Sequence, residues 1–221
     1  VWASCMVACG DADGAVTGNT RRFGASLEKI QQVVSPRIGE IMFGLNLVVH
    51  KGKTIFVADT SVHEYPSSEQ MSEIAISAAR VVRLFGFDPK VAFVSHSTFG
   101  QPITSRTKHI KKAVDILKDK NVDFEFDGDM QPDVALNKDY KNLYPFSNIV
   151  GSANILIMPG QHSAAISYKM MKELGDTKVI GPLLIGLGLP IEIAPLRTST
   201  SELINLASIA AYSADVIDYK K

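Results

Sequence analysis

Two polar segments follow apolar runs of the sequence and carry residue types that bind ligands. The first, from Ser97 to Gly100, comes after the apolar run 91–94 and before a helical pattern that contains several lysines. Small hydroxyl residues and a glycine at the start of a helix let backbone N–H groups approach an anion, and the lysines would add positive potential. An ordinary strand-to-helix turn with a solvated basic face explains the same pattern, so both interpretations stay open.

The second segment is Asp127-Gly128-Asp129, which follows the predicted strand 123–126. Ligands of open α/β folds bind outside the carboxyl ends of the strands. Two carboxylates at that position would orient a ligand or transfer protons. A glycine turn with two solvated acids fits the spacing equally well, so the sequence predicts either a ligand site or a plain turn here.

Three other motifs lack residues that their chemistry requires. Gly52-Lys53-Thr54 resembles the end of a phosphate-binding loop, but Leu47 occupies the position of its first glycine. Gly186-Leu187-Gly188 lacks the third glycine of a dinucleotide fingerprint, and Pro190 would break the helix that must follow. His63-Glu64 begins like a zinc motif whose second histidine does not follow. We therefore expect no cofactor and no metal in this chain.

The composition argues against two classes of partner. The 221 residues include 23 Lys and Arg and 23 Asp and Glu, so the net charge is zero and favours neither nucleic acid nor an anionic membrane. The longest uncharged apolar stretch, 179–191, is shorter than the roughly 20 residues that span a bilayer. Cys5 and Cys9 are predicted to be buried, reduced thiols, and the chain starts without a basic, signal-like segment. These features predict a cytoplasmic protein.

The apolar pattern predicts the α/β class. Runs with strand character alternate with amphipathic segments of helical period, which is typical of βαβ units and a largely parallel sheet. Ser67 and Gln70 have the spacing of a capping box, and residues 50–53 that of a hairpin turn. The predicted strands are 15–17, 41–49, 54–58, 91–94, 123–126, 155–158, 179–180 and 183–185. The predicted helices are 3–8, 26–34, 67–85, 104–118, 163–174 and 199–214.

Seven segments, taken in order, resemble the phosphate acetyltransferase and phosphate butyryltransferase family over essentially the whole chain. They are 10–14, 56–59, 74–79, 97–100, 127–131, 151–156 and 181–186. The segments 57–60, 63–64 and 144–147 resemble more closely the C-terminal domain of large bacterial NADP-dependent malic enzymes. In that branch the domain follows a malic enzyme catalytic region, which would explain a chain that starts without Met.

The resemblance implies an α/β fold of two lobes and three αβα layers, like that of isocitrate and isopropylmalate dehydrogenases. Residues 1–38 and 188–221 would form the first lobe, incomplete because its N-terminal part is missing, and residues 39–187 the second. The implied parent enzyme uses NADP and a divalent metal to convert malate into pyruvate and CO2. The implied partners are that catalytic region in the same chain, acetyl-CoA or a related phosphorylated molecule as allosteric effector, and further copies in a homo-oligomer.

One stretch departs from the family pattern. Phosphate acetyltransferases carry a serine and an arginine near the C-terminus, followed by an acid, which serve the reacting CoA and acyl phosphate. Pro195 and Leu196 stand at the serine and arginine positions here, and Glu202 stands at or near that of the acid. Acyl transfer needs a charged clamp on the transferring group, and leucine provides none, although Arg197 is one residue away. The resemblance therefore implies a domain that senses acetyl-CoA and has lost acyl transfer.

The predicted ligand site is a pocket in the cleft that binds acetyl-CoA. Its residues follow strands or lie in family motifs, and they are Ser97, Thr98, Gly100, Asp127, Asn154 and Arg197. The alternative is an active phosphate acyltransferase, which converts acetyl-CoA and phosphate into acetyl phosphate and CoA. A third possibility is an oligomerisation module with an empty cleft.

Overall fold

The chain alternates strands and helices, and within the described residues the strands form two sheets. The structure is a computed structural model that describes residues 1–217, including all their side chains except those of residues 141 and 142. The strands are β1 Ala15–Gly18, β2 Phe43–His50, β3 Lys53–Ala58, β4 Lys90–Val94, β5 Glu125–Met130, β6 Ile155–Ile157, β7 Thr177–Ile185 and β8 Ile191–Ala194. The α-helices are α1 Trp2–Cys9, α2 Phe23–Gln31, α3 Ser68–Leu84, α4 Ser105–Asp119, α5 Pro132–Leu136, α6 Gln161–Leu174 and α7 Thr200–Val216, with a 3-10 helix at Lys138–Asn142.

The larger sheet has the strand order β5-β4-β6-β3-β2-β7. The pairs from β5 to β3 are parallel, whereas β2 is antiparallel to both β3 and β7. Strands β2 and β3 are joined by Lys51 and Gly52, which both have positive φ, as a two-residue hairpin requires. A connection this short permits only antiparallel pairing. The predicted hairpin is confirmed, and the predicted parallel sheet is a mixed one.

Helices cover both faces of the larger sheet, which gives three layers. Neighbouring residues of β3 point to opposite faces, so Phe56 belongs to one core cluster and Val57 to the other. Helices α3 and α4 complete the first cluster, with Ile74 and Ile110 among its fully buried side chains. Helices α5 and α6 contribute to the second. A strand buried on both faces is apolar without alternation, which explains the continuous apolar runs 55–58 of β3 and 91–94 of β4.

The smaller sheet consists of β1 and β8, which run parallel although they lie at opposite ends of the chain. A third core cluster joins them to the first two helices, with Val7, Leu27 and Ile30 packed among Ile191 and Ile193. Segments near the two ends of the chain, on either side of the larger sheet in sequence, thus form one core together. The predicted lobe boundaries and the likeness to isocitrate and isopropylmalate dehydrogenases stay predictions.

Several local predictions differ from the structure. Strand β8 was not predicted, because its four residues lie in a stretch rich in proline and glycine. The two short strands predicted at 179–180 and 183–185 are one strand, β7, which continues through Gly181 and Pro182. Strand β5 continues to Met130, so Asp127 and Asp129 lie within the strand and not after it.

Helix α1 exposes one of the two thiols that were predicted to be buried. Cys5 is partly buried and Cys9 is exposed. Ser4 and Val7 are the buried residues of this short helix. Since α1 packs against the core through one face, Cys9 lies outside the packed stripe, and the prediction for it is wrong. Within residues 1–217, no helix is both long and apolar enough to cross a membrane.

Candidate functional site

A cleft of about 720 Å³ lies between helix α6 and the loop that connects β8 to α7. Its size is within the usual range of small-molecule sites. Basic, hydroxyl and apolar side chains line it together. The lining residues are Phe23, Gly24, Thr60, Ser61, Gln161, Ala165, Tyr168, Lys169, Lys172, Glu173, Val179, Gly181, Pro182, Pro195, Leu196, Arg197, Thr198, Glu202 and Leu206.

The turn after β3 supplies the hydroxyl groups of the cleft, and the buried carboxylate of Asp59 holds this turn in place. Asp59 is 1% exposed and accepts hydrogen bonds through both oxygens. Because a carboxylate with this many donors cannot rotate freely, the turn is rigid. The donors are the backbone N–H groups of Gly44 (2.9 Å), Ser61 (2.8 Å), Val62 (3.1 Å) and His63 (2.7 Å), together with Nδ1 of His63 (2.7 Å).

Asn46 fixes the direction of the Thr60 hydroxyl. Thr60 Oγ1 donates to Asn46 Oδ1 over 2.6 Å, and both residues are buried. Because the Thr60 hydroxyl already donates its proton to Asn46, its oxygen can act towards a ligand only as a hydrogen-bond acceptor. Nδ2 of Asn46 has no hydrogen-bond partner among the described residues.

Helix α6 supplies the basic wall of the cleft. Lys172 Nζ lies 2.9 Å from Glu202 Oε1, which links α6 to α7 across the cleft. Burial alone would raise the pKa of Glu202, but the hydrogen bonds from Ser199 and Lys172 outweigh it and hold that pKa below its usual value. Burial raises the pKa of Tyr168. Lys169 lies 5.9 Å from the centre of the Tyr168 ring and forms no ion pair with any described residue.

The loop between β8 and α7 forms the opposite wall. Thr198 fixes it, because its hydroxyl donates to the Pro195 carbonyl over 2.6 Å and its backbone N–H to Asn19 Oδ1 over 3.1 Å. Arg197 has a φ of 62° and an exposed side chain that is in no ion pair within the described chain. The loop therefore places an unpaired guanidinium at the cleft. Leu196, next to it, is 51% exposed.

Glu202, the predicted remnant of a catalytic acid, has a structural role. Its carboxylate accepts hydrogen bonds from the backbone N–H and the hydroxyl of Ser199, both over 2.8 Å, in the capping box that begins α7. Its other oxygen binds Lys172. Both oxygens are thus occupied, so Glu202 stabilises the start of the helix and the cleft walls.

The loop from Ser97 to Gly100 is organised separately, by Asp129. Ser97 is fully buried and donates its hydroxyl to the carboxylate of Asp129. The backbone N–H of Gly100 donates to the other oxygen of Asp129 over 2.9 Å, and that of Phe99 to its carbonyl over 2.6 Å. The Ser97 hydroxyl and the backbone N–H groups of this loop, which were predicted to bind an anion, therefore already donate hydrogen bonds within the protein.

The predicted ligand residues Thr98 and Asp127 also have partners in the protein. Thr98 Oγ1 accepts from the backbone N–H of Gln131 over 3.3 Å. Asp127 is 6% exposed and accepts from the N–H groups of Gly128 (2.9 Å) and Asn148 (2.7 Å). A solvated acid at Asp127 is excluded by this burial, and its carboxylate serves to fix the segment before β6.

Asn154, another predicted pocket residue, lies apart from both the cleft and the Ser97 loop. It precedes β6, and its side chain accepts from the Lys90 N–H over 2.8 Å and donates to the Asp88 carbonyl over 2.7 Å. Lys90 begins β4, which is parallel to β6. Asn154 is therefore at the edge of the sheet where these strands begin, whereas the Ser97 loop follows the end of β4. The structure thus places Asn154 and Ser97 at opposite ends of neighbouring strands, and the role of Asn154 in ligand binding stays a prediction.

Besides Asn154, the other predicted pocket residues are also not all together. Ser97, Thr98 and Gly100 lie together, whereas the described lining of the cleft contains Arg197 but none of those three. Strand β6 lies between β4 and β3 in the sheet, so the Ser97 loop and the Thr60 turn follow strands about 10 Å apart. Five residues of the cleft were not among the predicted ligand residues, namely Thr60, Ser61, Tyr168, Lys169 and Lys172. The family-like segment 57–60 gave a signal for the first two, since it contains Thr60 and immediately precedes Ser61.

The described part of the chain contains no candidate metal-binding site. Across residues 1–217, no group of three or more His, Cys, Asp or Glu side chains is arranged to hold a metal ion. The cations of the cleft suit a different ligand, since Lys and Arg bind phosphate and carboxylate groups.

The three-layer fold, with a basic cleft beside the turn that follows β3, defines an α/β protein with a candidate ligand site. More specifically, the chain belongs to the phosphate acetyl/butaryl transferase family, which matches residues 1–211. The phosphotransacetylase from Streptococcus pyogenes is 28% identical and superimposes with a TM-score of 0.90, over 97% of this chain and 66% of that one.

The chain is also similar to part of much longer proteins. It is 46% identical over 213 residues to the NADP-dependent malic enzyme of Rhizobium meliloti, which covers 96% of this chain. It is 39% identical over 224 residues to the probable NADP-dependent malic enzyme of Rickettsia prowazekii, covering 97% of this chain. It spans 28% and 29% of the lengths of these two relatives.

Proposed function

We propose that the chain is the phosphotransacetylase-like regulatory domain of an NADP-dependent malic enzyme and that it binds acetyl-CoA in the cleft. The parent enzyme would convert malate into pyruvate and CO2 with NADP and a divalent metal. The similarity to malic enzymes, together with the family fold, supports the assignment to this branch. The unpaired guanidinium of Arg197, which lines the cleft together with Lys169 on the opposite wall, is the observation that supports ligand binding most directly.

A CoA thioester has the chemistry that this cleft fits. Its phosphates need cations, and Arg197 and Lys169 are without an ion-pair partner among the described residues. Its amide N–H groups need acceptors, and Thr60 offers an oxygen whose own proton is already donated to Asn46. Its pantetheine chain needs apolar contacts, which Phe23, Val179 and Leu206 supply in this cleft. A volume of about 720 Å³ admits a large part of such a ligand.

Acyl transfer fits the same residues poorly. Pro195 has neither a nucleophilic side chain nor a backbone N–H, and Leu196 has no charge to stabilise a developing anion. Both carboxylate oxygens of Glu202 already accept hydrogen bonds, one from Lys172 and the other from Ser199 in the cap of α7. The cleft thus keeps groups that bind and lacks groups that react, as expected of a sensor.

Isothermal titration with acetyl-CoA tests the proposal. Heat should be released, and Arg197→Met or Lys169→Met should weaken binding about tenfold, the effect of losing ~1.4 kcal/mol at a charged contact. Lys111→Met is the matched control, because Lys111 is exposed on α4 and outside the cleft lining. Absence of heat at millimolar acetyl-CoA, with a folded protein, would refute ligand binding.

A second assay separates sensing from catalysis. The purified protein should not release phosphate from acetyl phosphate when CoA is added. CoA-dependent turnover that Arg197→Ala abolishes would show an active phosphate acyltransferase and overturn the regulatory assignment.

Regulation also requires that acetyl-CoA bind one state of the parent enzyme better than another. In the parent enzyme, acetyl-CoA should therefore lower the rate of malate oxidation, and Arg197→Met should reduce this inhibition while leaving the uninhibited rate unchanged. An uninhibited wild-type enzyme would contradict the regulatory role even if the cleft binds acetyl-CoA.

A further inference from the structure

A second cavity, of about 90 Å³, is lined by residues of helices α3 and α7 and of strands β7 and β8. No described residue lines both this cavity and the cleft beside α6. Arg80 and Tyr212 line it and are exposed, so it opens to solvent beside them. Most of its wall is apolar, and the apolar lining includes Val81, Leu84, Leu184, Ile185, Ile191 and Ile209.

A buried carboxyl group, that of Glu192, lies in the wall of this cavity. The residue is 5% exposed, and its Oε2 accepts a hydrogen bond from the backbone N–H of Leu184 over 2.9 Å. Its Oε1 is bonded to no described residue, yet it is not fully enclosed by protein atoms. Because Glu192 is buried and lines the cavity, the open side of Oε1 faces the cavity.

This carboxyl group is a hydrogen-bond donor at neutral pH. Burial raises the pKa of Glu192 to about 8, and no described residue forms an ion pair with it. Since Oε2 accepts from Leu184, the proton of the neutral carboxyl group is on Oε1. Both guanidinium groups of the lining bind the carboxylate of Glu40. The other titratable groups that line the cavity are Arg37, Glu40, Arg80 and Tyr212.

We propose that this cavity binds a small uncharged molecule with an apolar body and one carbonyl oxygen, which accepts a hydrogen bond from Glu192. The apolar walls favour the hydrocarbon part of such a ligand, because its burial removes apolar surface from water. A carbonyl oxygen gives the buried donor on Oε1 the acceptor that it lacks in the protein. A carboxylate is disfavoured, because beside apolar walls its charge would lose hydration that the Glu40-bound guanidinium groups do not replace.

The volume of the cavity limits the size of the ligand. An apolar protein cavity of ~150 Å³ holds benzene, which has six heavy atoms. In proportion, a cavity of about 90 Å³ admits about four heavy atoms. Acetone is a molecule of this size, with one carbonyl oxygen between two methyl groups. Acetate has the same number of heavy atoms and a similar shape but carries a charge, so the two molecules are a matched pair of probes.

An NMR titration of the isotope-labelled protein with acetone tests the proposal. At a pH of about 6.5, the amide signal of Leu184 should shift and saturate in the millimolar range, as expected of a ligand with so few atoms. Acetate at the same concentrations should cause no saturable shift of this signal. Absence of saturation with acetone, or equal binding of acetate, would overturn the proposal.

Substitutions of Glu192 test the hydrogen bond. Glu192→Gln keeps an acceptor for the Leu184 N–H and an N–H donor for the ligand, so its dissociation constant for acetone should stay within about threefold of wild type. Glu192→Met has neither group and should raise this constant about tenfold. If Glu192→Gln binds as weakly as Glu192→Met, the carboxyl group does not donate to the ligand and the proposal is wrong.

The pH dependence tests the proton on Oε1. The wild-type protein should bind acetone about tenfold more weakly, or worse, at a pH of about 9.5 than at about 6.5, because the ionised carboxylate no longer donates. Glu192→Gln should show no such loss, which controls for the titration of Tyr212 and of more distant groups. The same loss in both proteins would contradict the assignment to Glu192.

A variant that fills the cavity tests the location of the ligand without changing Glu192. Ile209→Trp places a bulkier side chain in the lining and should abolish the saturable shift. Ile204→Trp is the matched control, since Ile204 is on the same helix, is 60% exposed and lies outside the described lining. Circular dichroism verifies that both variants are folded. Binding that survives Ile209→Trp, or that is lost equally in Ile204→Trp, would place acetone elsewhere and refute the proposal.

Discussion

Replacing Asp59 by asparagine should weaken ligand binding in the cleft, because this carboxylate holds the turn that carries Thr60 and Ser61. Asparagine has one acceptor oxygen in place of two. Its NH2 group would face the backbone N–H of His63, which now donates to Asp59 Oδ2 over 2.7 Å. A buried donor left unpaired costs ~1–3 kcal/mol, and the remaining bonds lose their charge assistance. We expect a total loss of about 2–4 kcal/mol in the free energy of unfolding.

Asp129→Asn is the matched change, since Asp129 is a buried carboxylate that holds a different loop. It binds the hydroxyl of Ser97 and the N–H of Gly100. Its replacement should cost a comparable free energy of unfolding. The affinity for acetyl-CoA should stay unchanged, because neither Ser97 nor Gly100 is in the described lining of the cleft.

Urea unfolding measures the stability of both variants, and isothermal titration under conditions where both are folded measures their affinity. Asp59→Asn should raise the dissociation constant for acetyl-CoA about tenfold, or ~1.4 kcal/mol, and Asp129→Asn should not raise it measurably. The opposite pattern would place the ligand at the Ser97 loop and refute the assignment to the cleft.

Two further predictions concern stability. Burial raises the pKa of Glu192 from 4.5 to about 8, so the folded state holds a proton that the unfolded state releases, and stability should fall as pH rises from 4.5 towards 8. Urea midpoints should show Glu192→Gln to be more stable than wild type at the upper end of this range and similar at the lower end. Gly186 and Gly86 both have a φ of +81°, but a Cβ at Gly186 would meet the Ile41 oxygen at 2.1 Å, whereas at Gly86 the space is open. Gly86→Ala should cost about 1–2 kcal/mol, and Gly186→Ala clearly more; equal midpoints would contradict this reasoning.

The elements that local patterns encode were predicted well. Helix α3 begins with the predicted capping box, in which Ser67 accepts from the Gln70 N–H and the Gln70 side chain accepts from the Ser67 N–H. The hairpin between β2 and β3 forms at the predicted residues. Both features depend on residues a few positions apart, so their geometry follows from the sequence.

Strand boundaries near polar residues were predicted less well. The carboxylates of Asp127 and Asp129 suggested a turn, yet both are buried in β5. Their cost of burial is offset by hydrogen bonds from Asn148 and Ser97, which are distant in sequence. Such partners cannot be recognised from a local pattern.

The sequence by itself determined the α/β class, the family, and the altered stretch at Pro195, Leu196 and Arg197, because periodicity and ordered motifs are properties of neighbouring residues. The tertiary structure decided which residues share the cleft. The order of strands in the sheet separates Ser97 from Thr60, and the docking of α6 brings Lys172 to Glu202, 30 positions further along the chain. These contacts result from packing between distant segments, which one sequence does not specify.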